Sequence, residues 1–311
     1  QTTVVFQNKT PTCQYRAVGH PIAVAITEGL VDMAAAAIGM DPVEIRRRNM
    51  YADDAYPVTS PAKMRFEGLS HHASMDKLIA MMDYDALRAD QAEARKQGKY
   101  RGIGIASFIE LTNPSPFMYG IGGARISAQD GCTVRMDPDG SIVALSGVTE
   151  QGQGTEAMLS QVVAEGVGVP PSSVRVITGD TQVTPYGGGT WASRGAGIGG
   201  EAALQAARAL RQSILEVAAS MLQADAGALD IRDGQVVNTD TGEERLPLEE
   251  LGRIVYFRGD TLPKGLPREL VQTRHFITMD YPFAFTNGVQ ASYLEVDIET
   301  GVVTLLKHWC V

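Results

Sequence analysis

The chain has 311 residues, of which 44% are hydrophobic and 20% charged, and a formal net charge of −9. That length supplies one large domain or two smaller ones, and the acidic balance with scattered Lys and Arg excludes a nucleic-acid surface. No run of about 18 apolar residues occurs, so no membrane-spanning helix is expected.

The first apolar stretch, Val4-Val5-Phe6, leads into a polar loop rich in Thr, Pro and Gln. From Pro21 to about Met40, apolar residues recur at helical spacing (Ile22, Ile26, Leu30, Ala34, Ile38), and Gly39 closes that helix. Asp41-Pro42 opens the next, which runs to Met50 with Arg46–Arg48 read as a solvated, salt-bridged face. A further helical unit runs from Ser74 to about Gln97. Gly98-Lys-Tyr-Arg-Gly102 then breaks the pattern, and the apolar period changes from 3.6 to 2. This change places a domain boundary between residues 98 and 99.

Beyond it, Arg125–Ala128 and Cys132–Met136 lead through the turn Asp137-Pro-Asp-Gly140 to a returning strand, Ser141–Ser146. A helix follows at about Thr155–Gly166, then a strand at Val174–Thr178, a glycine-rich loop at Pro185–Gly200 and a long helix at about Glu201–Gln223. Two turn-marked strand pairs close the chain, Ile231–Val237 around Gly234 and Ala291–Leu306 around Glu299-Thr-Gly301. The fold class read from this order is α+β, with helices covering mixed, mostly antiparallel sheets. Cys13, Cys132 and Cys310 are odd in number, far apart and without CxxC spacing. They point to a reducing, cytoplasmic compartment and to three small core hydrophobes. Gln1 is not an initiator Met and Val311 follows an apolar run, so the chain reads as an internal piece of a longer protein.

Glycine-turned segments carry the chemistry. In Glu150-Gln-Gly-Gln-Gly154, Gly152 and Gly154 turn the backbone sharply into a helix whose unpaired N–H groups attract anions. Gln153, held between them, displays one acceptor and two donors. A strand-to-helix turn with a surface Gln is the plain alternative. Gly187-Gly-Gly-Thr-Trp-Ala-Ser-Arg-Gly195 offers Thr190, Ser193 and Arg194 as donors to phosphate. Gly195-Ala-Gly-Ile-Gly-Gly200 matches GxGxxG in form only, since no strand enters it and the acidic residue expected about 20 positions on would lie in the same helix. Arg16, in Tyr15–Pro21, is a charged fork suited to phosphate or carboxylate. His20 is read as a helix cap or hydrogen-bonded structural residue, and His71-His72 as a loop pair without further metal ligands. No GxSxG, HExxH, Walker A or zinc-ribbon spacing occurs.

In order along the chain, Tyr15–Pro21, Asp41–Asn49, Glu150–Gly154, Gln161–Glu165, Val176–Thr181 and Thr190–Arg194 resemble the molybdenum hydroxylases, the xanthine dehydrogenase, aldehyde oxidase and aerobic carbon monoxide dehydrogenase family. The likeness covers nearly the whole chain. It implies the two-domain molybdopterin-binding large subunit, with residues 1–98 ending a first domain and residues 99–311 beginning a second. It implies molybdenum held by a pterin dithiolene, with the protein supplying hydrogen bonds and no metal ligand. Gln153 would then lie near the oxo ligand; Arg16, Gly152, Gly154, Thr190, Ala192, Ser193 and Arg194 would contact the cofactor. The cytosine dinucleotide form is expected, its pyrophosphate suited to the glycine-rich loops.

The family reaction hydroxylates an electrophilic carbon with oxygen from water, and electrons leave through [2Fe–2S] and FAD groups on partner subunits or domains. The family's general base, a glutamate in a GxGE segment, is expected beyond Val311, within the rest of the large subunit. Ala17 stands where carbon monoxide dehydrogenases place a cysteine, and Val18 where purine-oxidising relatives place an aromatic residue. An aldehyde or an N-heterocycle is therefore the expected small-molecule substrate, with Val18 and Glu110 in its pocket. The alternatives are a non-catalytic domain of the same fold that has lost the metal, and, last, a nucleotide-binding dehydrogenase built on Gly195–Gly200.

Overall fold

A computed structural model of the chain describes residues 16–118, 127–279 and 284–311, with residues 3, 5, 7–10 and 125. In chain order the elements are α1 (His20–Ala37), α2 (Pro42–Asn49), β1 (Val58–Thr59), β2 (Arg65–Phe66), α3 (His71–Met82), α4 (Tyr84–Lys96) and β3 (Tyr100–Thr112). Next come β4 (Gln129–Met136), β5 (Ile142–Ser146), α5 (Thr155–Val167), β6 (Val174–Ile177) and α6 (Gly200–Leu222). The last are β7 (Leu229–Arg232), β8 (Gln235–Asn238), β9 (Glu244–Pro247), α7 (Leu248–Phe257), β10 (Val271–Ile277), β11 (Ala284–Val296) and β12 (Val303–Cys310).

These pack as two compact units, residues 1–110 with 285–311 and residues 111–284. The change of period after Gly98 marks the start of β3 at Tyr100. The packing divides later, at 110/111, and the C-terminal strands return to the first unit.

In the first unit, the carboxylate of Asp41 caps α2 by accepting from the N–H groups of Val43 and Glu44 at 2.8 and 3.3 Å, with Pro42 opening the helix. Arg47 and Arg48 pair with Asp76 and Glu44 on the surface, as the sequence indicates. Arg46 does not. It is 3% exposed and donates to Glu28 at 2.7 Å, to Asp32 at 2.8 Å and to the carbonyls of Pro42 and Ile105 at 2.9 Å. One guanidinium thus ties α1, α2 and β3, because a buried cation is tolerated only when its donors are answered.

The single helix expected over residues 74–97 is two, broken at Asp83 in the left-handed region (φ 50°). It begins at His71 because the Asp53 carboxylate accepts from the N–H groups of His72 and Ala73, capping the first turn from a distance. Val43, Met75, Leu78, Met82, Tyr84, Ile105, Val289 and Ala291 form the core, beside a three-stranded sheet of order β12-β11-β3. The apolar residues Ile22, Ile26, Leu30 and Met33 of α1 are exposed. Cys310 is exposed too, which corrects its reading as a core residue; Cys132 is fully buried, and Cys13 lies outside the described residues, as do Val4 and Phe6.

The second unit holds a four-stranded sheet of order β10-β4-β5-β6, antiparallel except for β5 and β6. A parallel neighbour requires a crossover, and α5 supplies it. The expected strand at Arg125–Ala128 starts instead at Gln129, and Ile126 lies outside the described residues. α6 lies across β4 and β10 and turns Ala203, Ala207, Leu210, Ile214 and Val217 inward at a helical period; α5 packs against it. The antiparallel β7-β8-β9 sheet and α7 complete this core. The α+β class and its mostly antiparallel sheets are those read from the sequence. Among the described residues no single helix is long and apolar enough to cross a membrane.

The contrast between neighbouring arginines is testable in the full-length protein. Arg46→Ala, which strands two carboxylates and two carbonyls, should destabilise by about 3–5 kcal/mol. Arg48→Ala should stay within about 0.5 kcal/mol. Thermal denaturation of the two variants reads the difference; equal melting temperatures would contradict the assignment of Arg46 as the buried tie.

Candidate functional site

In the second unit, residues 149–154 and 190–194 form two loops held side by side. The Thr190 hydroxyl donates to the Thr149 carbonyl at 2.7 Å and accepts from the Thr149 N–H at 2.8 Å. The Gln151 amide adds a bond to the Thr190 carbonyl at 3.3 Å. Gly152 and Gly154 take left-handed φ values of 87° and 86°, a region costing an L side chain about 1–2 kcal/mol. These glycines make the sharp entry into α5 that the sequence indicates.

The amides at that entry are already used. The Glu150 carboxylate accepts from the N–H groups of Gln151, Gly152, Gly154 and Glu156 at 3.0, 2.7, 3.1 and 3.1 Å. Its pKa is held below the ordinary carboxylate value, first by the Glu156 N–H and then by the other amides. The anion cradle expected at the start of α5 is therefore filled by the chain's own carboxylate. An acidic residue placed just before a glycine turn is the signal that marks it in the sequence.

Gln153 is exposed, and its amide closes the same turn: Oε1 accepts from the Gln151 N–H at 2.6 Å, while Nε2 donates to the Thr149 carbonyl at 3.2 Å and the Thr155 hydroxyl at 2.6 Å. In the facing loop, Ala192 and Ser193 take left-handed φ values of 47° and 51° without being glycine, which is strained. Ser193 is exposed and Ala192 half-buried.

Arg194 departs from expectation. It is 0% exposed; its guanidinium donates to the carbonyls of Ser127 and Gly189 at 3.2 Å and of Gln129 at 2.6 Å. It also lies 3.0 Å from the equally buried carboxylate of Asp130 and stacks on Trp191 at 5.5 Å. Turned inward and fully buried, it spends both terminal nitrogens on the protein, and its Nε has no hydrogen-bond partner. Gly195–Gly199 form a π-helical turn running directly into α6, with no strand before it. A Cβ on Gly199 would meet Val148 at 2.7 Å, so close packing rather than a dinucleotide accounts for that glycine.

Gln153, Gly152, Gly154, Thr190, Ala192 and Ser193 are thus brought together. Arg16, Val18 and Glu110 belong to the first unit. There Arg16, Ala17 and Val18 are successive left-handed residues (φ 55°, 55° and 42°) on an exposed turn before α1. His20 is the first residue of α1 and not its cap, and its Nδ1 lies 3.4 Å from Glu110. His71 and His72 begin a helix, and among the described residues no group of three or more metal-ligating side chains occurs.

The candidate site is thus two stapled, glycine-turned loops on an α+β module. The chain belongs to the molybdopterin cofactor-binding family: one domain of that description matches residues 77–311 and a second matches residues 1–50. The chain is 36% identical, over 98% of its length, to the nicotine 6-hydroxylase large subunit of Paenarthrobacter nicotinovorans, of which it spans 37%. It is 38% identical, over 74% of its length, to the xanthine dehydrogenase molybdenum-binding subunit of Escherichia coli O157:H7, spanning 29% of that protein. Its fold is similar to quinoline 2-oxidoreductase from Pseudomonas putida 86 (TM-score 0.81, 32% identity, 97% of this chain and 38% of that one). The chain spans about a third of the length of these relatives.

The Glu150 assignment makes a pH-dependent prediction. A carboxylate whose folded pKa is lowered stabilises above its unfolded value, and that contribution is lost as pH falls through the folded pKa. Glu150→Gln should therefore cost stability at neutral pH, with the gap to wild type closing below about pH 4. Denaturant titrations at pH 7 and pH 3 check it; a gap that is constant with pH would refute it.

Proposed function

We propose that this chain is the cofactor-binding portion of the large subunit of a molybdenum hydroxylase whose whole protein oxidises a ring carbon of an N-heterocycle with oxygen from water. The observation that carries this reading is the staple between Thr149 and Thr190, which sets two family loops side by side as one wall.

The residues fit a molybdopterin at this wall. Gln153 is exposed and keeps one lone pair of Oε1 for a pterin N–H, its two Nε2 hydrogens being taken by Thr149 and Thr155, and Gly152, Gly154, Ala192 and Ser193 leave the main chain approachable. Gly152, Gln153, Gly154, Thr190, Ala192 and Ser193 would hold it, with Arg194 supporting from behind; Arg16 is the proposed cofactor contact of the first unit, taken by itself. When bound, the cofactor supplies the two-electron oxidation at molybdenum. The wall's own part is to orient and to exclude water, and it supplies no metal ligand. In the cytosine dinucleotide form, the pyrophosphate would take donors other than Arg194, which is fully buried, and the first turn of α5, whose amides Glu150 occupies.

The names of the relatives support the substrate class. Nicotine and quinoline are N-heterocycles, which favours a ring carbon over an aldehyde. Carbon monoxide dehydrogenase large chains also match at 29% identity, but Ala17 lacks the thiol that the resemblance places there. Val18, 68% exposed, and Glu110, whose carboxylate faces His20, are the proposed substrate-pocket residues of the first unit. FAD and [2Fe–2S] groups on partner subunits or domains would take the electrons, in a cytoplasmic complex; the names of the relatives, large subunit and large chain, support further subunits. The two family matches, over residues 1–50 and 77–311, support two cofactor-binding domains in succession; the division at residue 98 read from the sequence falls inside the second match. The exposed apolar side of α1 is a surface for the rest of the large subunit.

The test is metal analysis of the full-length protein purified from a host that makes the cofactor. Stoichiometric molybdenum is expected, with oxidation of a pyridine- or quinoline-type ring and none of carbon monoxide. Gln153→Ala should lower molybdenum content or turnover about ten-fold or more, whereas Gln161→Ala, on the exposed side of α5, should leave both unchanged. A matured preparation without molybdenum would overturn the reading in favour of a metal-free structural domain, and equal effects at the two glutamines would misplace the site.

A further inference from the structure

The glycine run before Thr190 has a purpose that a phosphate cradle does not explain. Asp130, at the start of β4, is 0% exposed and lies 3.0 Å from Arg194. A Cβ on Gly187 or on Gly147 would collide with Asp130 Oδ1, and a Cβ on Gly188 would collide with Arg194 Nη1 and the Ser127 carbonyl. Three glycines from two loops are therefore the walls of a socket around one ion pair. The loop is also bonded to the strand directly, through the Gly188 N–H and the Gln129 carbonyl at 3.0 Å.

From that socket Arg194 reaches back to the Gly189 carbonyl and lies against Trp191, so it holds the two residues that flank Thr190. Burying both ions carries a penalty that their attraction does not cover. Burial pushes Asp130 up to about 6 against the pull of Arg194, and burial lowers Arg194 as well. The pair is thus a poor source of stability. What it gives is geometry: carbonyls of β4 and of the loop, drawn to one rigid planar fork.

We propose that Asp130 is a positioning residue for the cofactor wall: through Arg194 it fixes the strained Thr190–Ser193 turn in the form that receives the molybdopterin. This rests on the functional reading above. Asp130 itself touches no cofactor.

The experiment uses the full-length protein with its cofactor, comparing molybdenum and pterin content per chain with melting temperature. Asp130→Asn should lose about ten-fold or more of the bound cofactor, the size of effect seen when a supporting partner of a ligand is removed. Asp230→Asn, which breaks the partly exposed pair with Arg211 elsewhere in the same unit, should lose none. Since Asp130→Asn leaves a buried cation and can unfold the protein, a second variant separates stability from position. Asp130→Leu combined with Arg194→Met fills the socket without charge and should fold. It also removes the fork that holds the loop, so it should still lack cofactor. A folded double variant with wild-type molybdenum content overturns the proposal, as does an Asp130→Asn protein that folds and keeps its cofactor. Wild-type protein without molybdenum would instead sink the functional reading.

Discussion

A guanidinium removed from water has five N–H donors and one charge to satisfy, and both compact units of this chain are organised around meeting that demand. In the second unit Arg194 meets it at its two terminal nitrogens, with three backbone carbonyls, Asp130 and the face of Trp191, and leaves Nε without a hydrogen bond. In the first it is Arg46, with two carboxylates and the carbonyls of Pro42 and Ile105. Each ties a loop or helix start to a strand by backbone atoms, which side-chain packing alone positions less tightly. Gly147, Gly187 and Gly188 line the space around the Arg194–Asp130 pair, where a Cβ would collide with it.

The same economy governs the anion chemistry of the site. A helix N-terminus attracts negative charge wherever it comes from, and here Glu150 is tethered two residues from the nearest glycine. An intramolecular carboxylate faces little entropic cost in occupying those amides, so it fills them. The Gly152–Gly154 turn is thereby closed by bonds within the chain.

Much of this was legible in the sequence. Helical spacing marks α1, the Asp41-Pro42 start marks α2, and the turn at Asp137–Gly140 marks the β4–β5 hairpin, because local residues decide those elements; α5 and α6 stand where the sequence places helices. The loops of Gln153 and of Thr190–Ser193 were found by their glycines. α7 and β10 were missed: α7 carries a readable spacing in Leu248, Leu251 and Val255, whereas β10 is polar along most of its length and is fixed by pairing with β4. The burial of Arg46 and Arg194 could not be read locally. An arginine in a helix or a glycine-rich loop looks solvated until strands distant in sequence bring Ile105, Ser127 and Asp130 to it. Gly187 and Gly188 read in the sequence only as part of a phosphate-donor loop; the neighbours that exclude a side chain there, Asp130, Arg194 and Ser127, are brought by the fold.

The most direct test of the account is an experimental structure of the cofactor-loaded full-length protein. It should show the Gln153 amide and the Thr190–Ser193 turn within hydrogen-bonding distance of the pterin, with Arg194 still buried against Asp130. A cofactor held through other segments, or an Arg194 side chain swung out onto its phosphate, would contradict it.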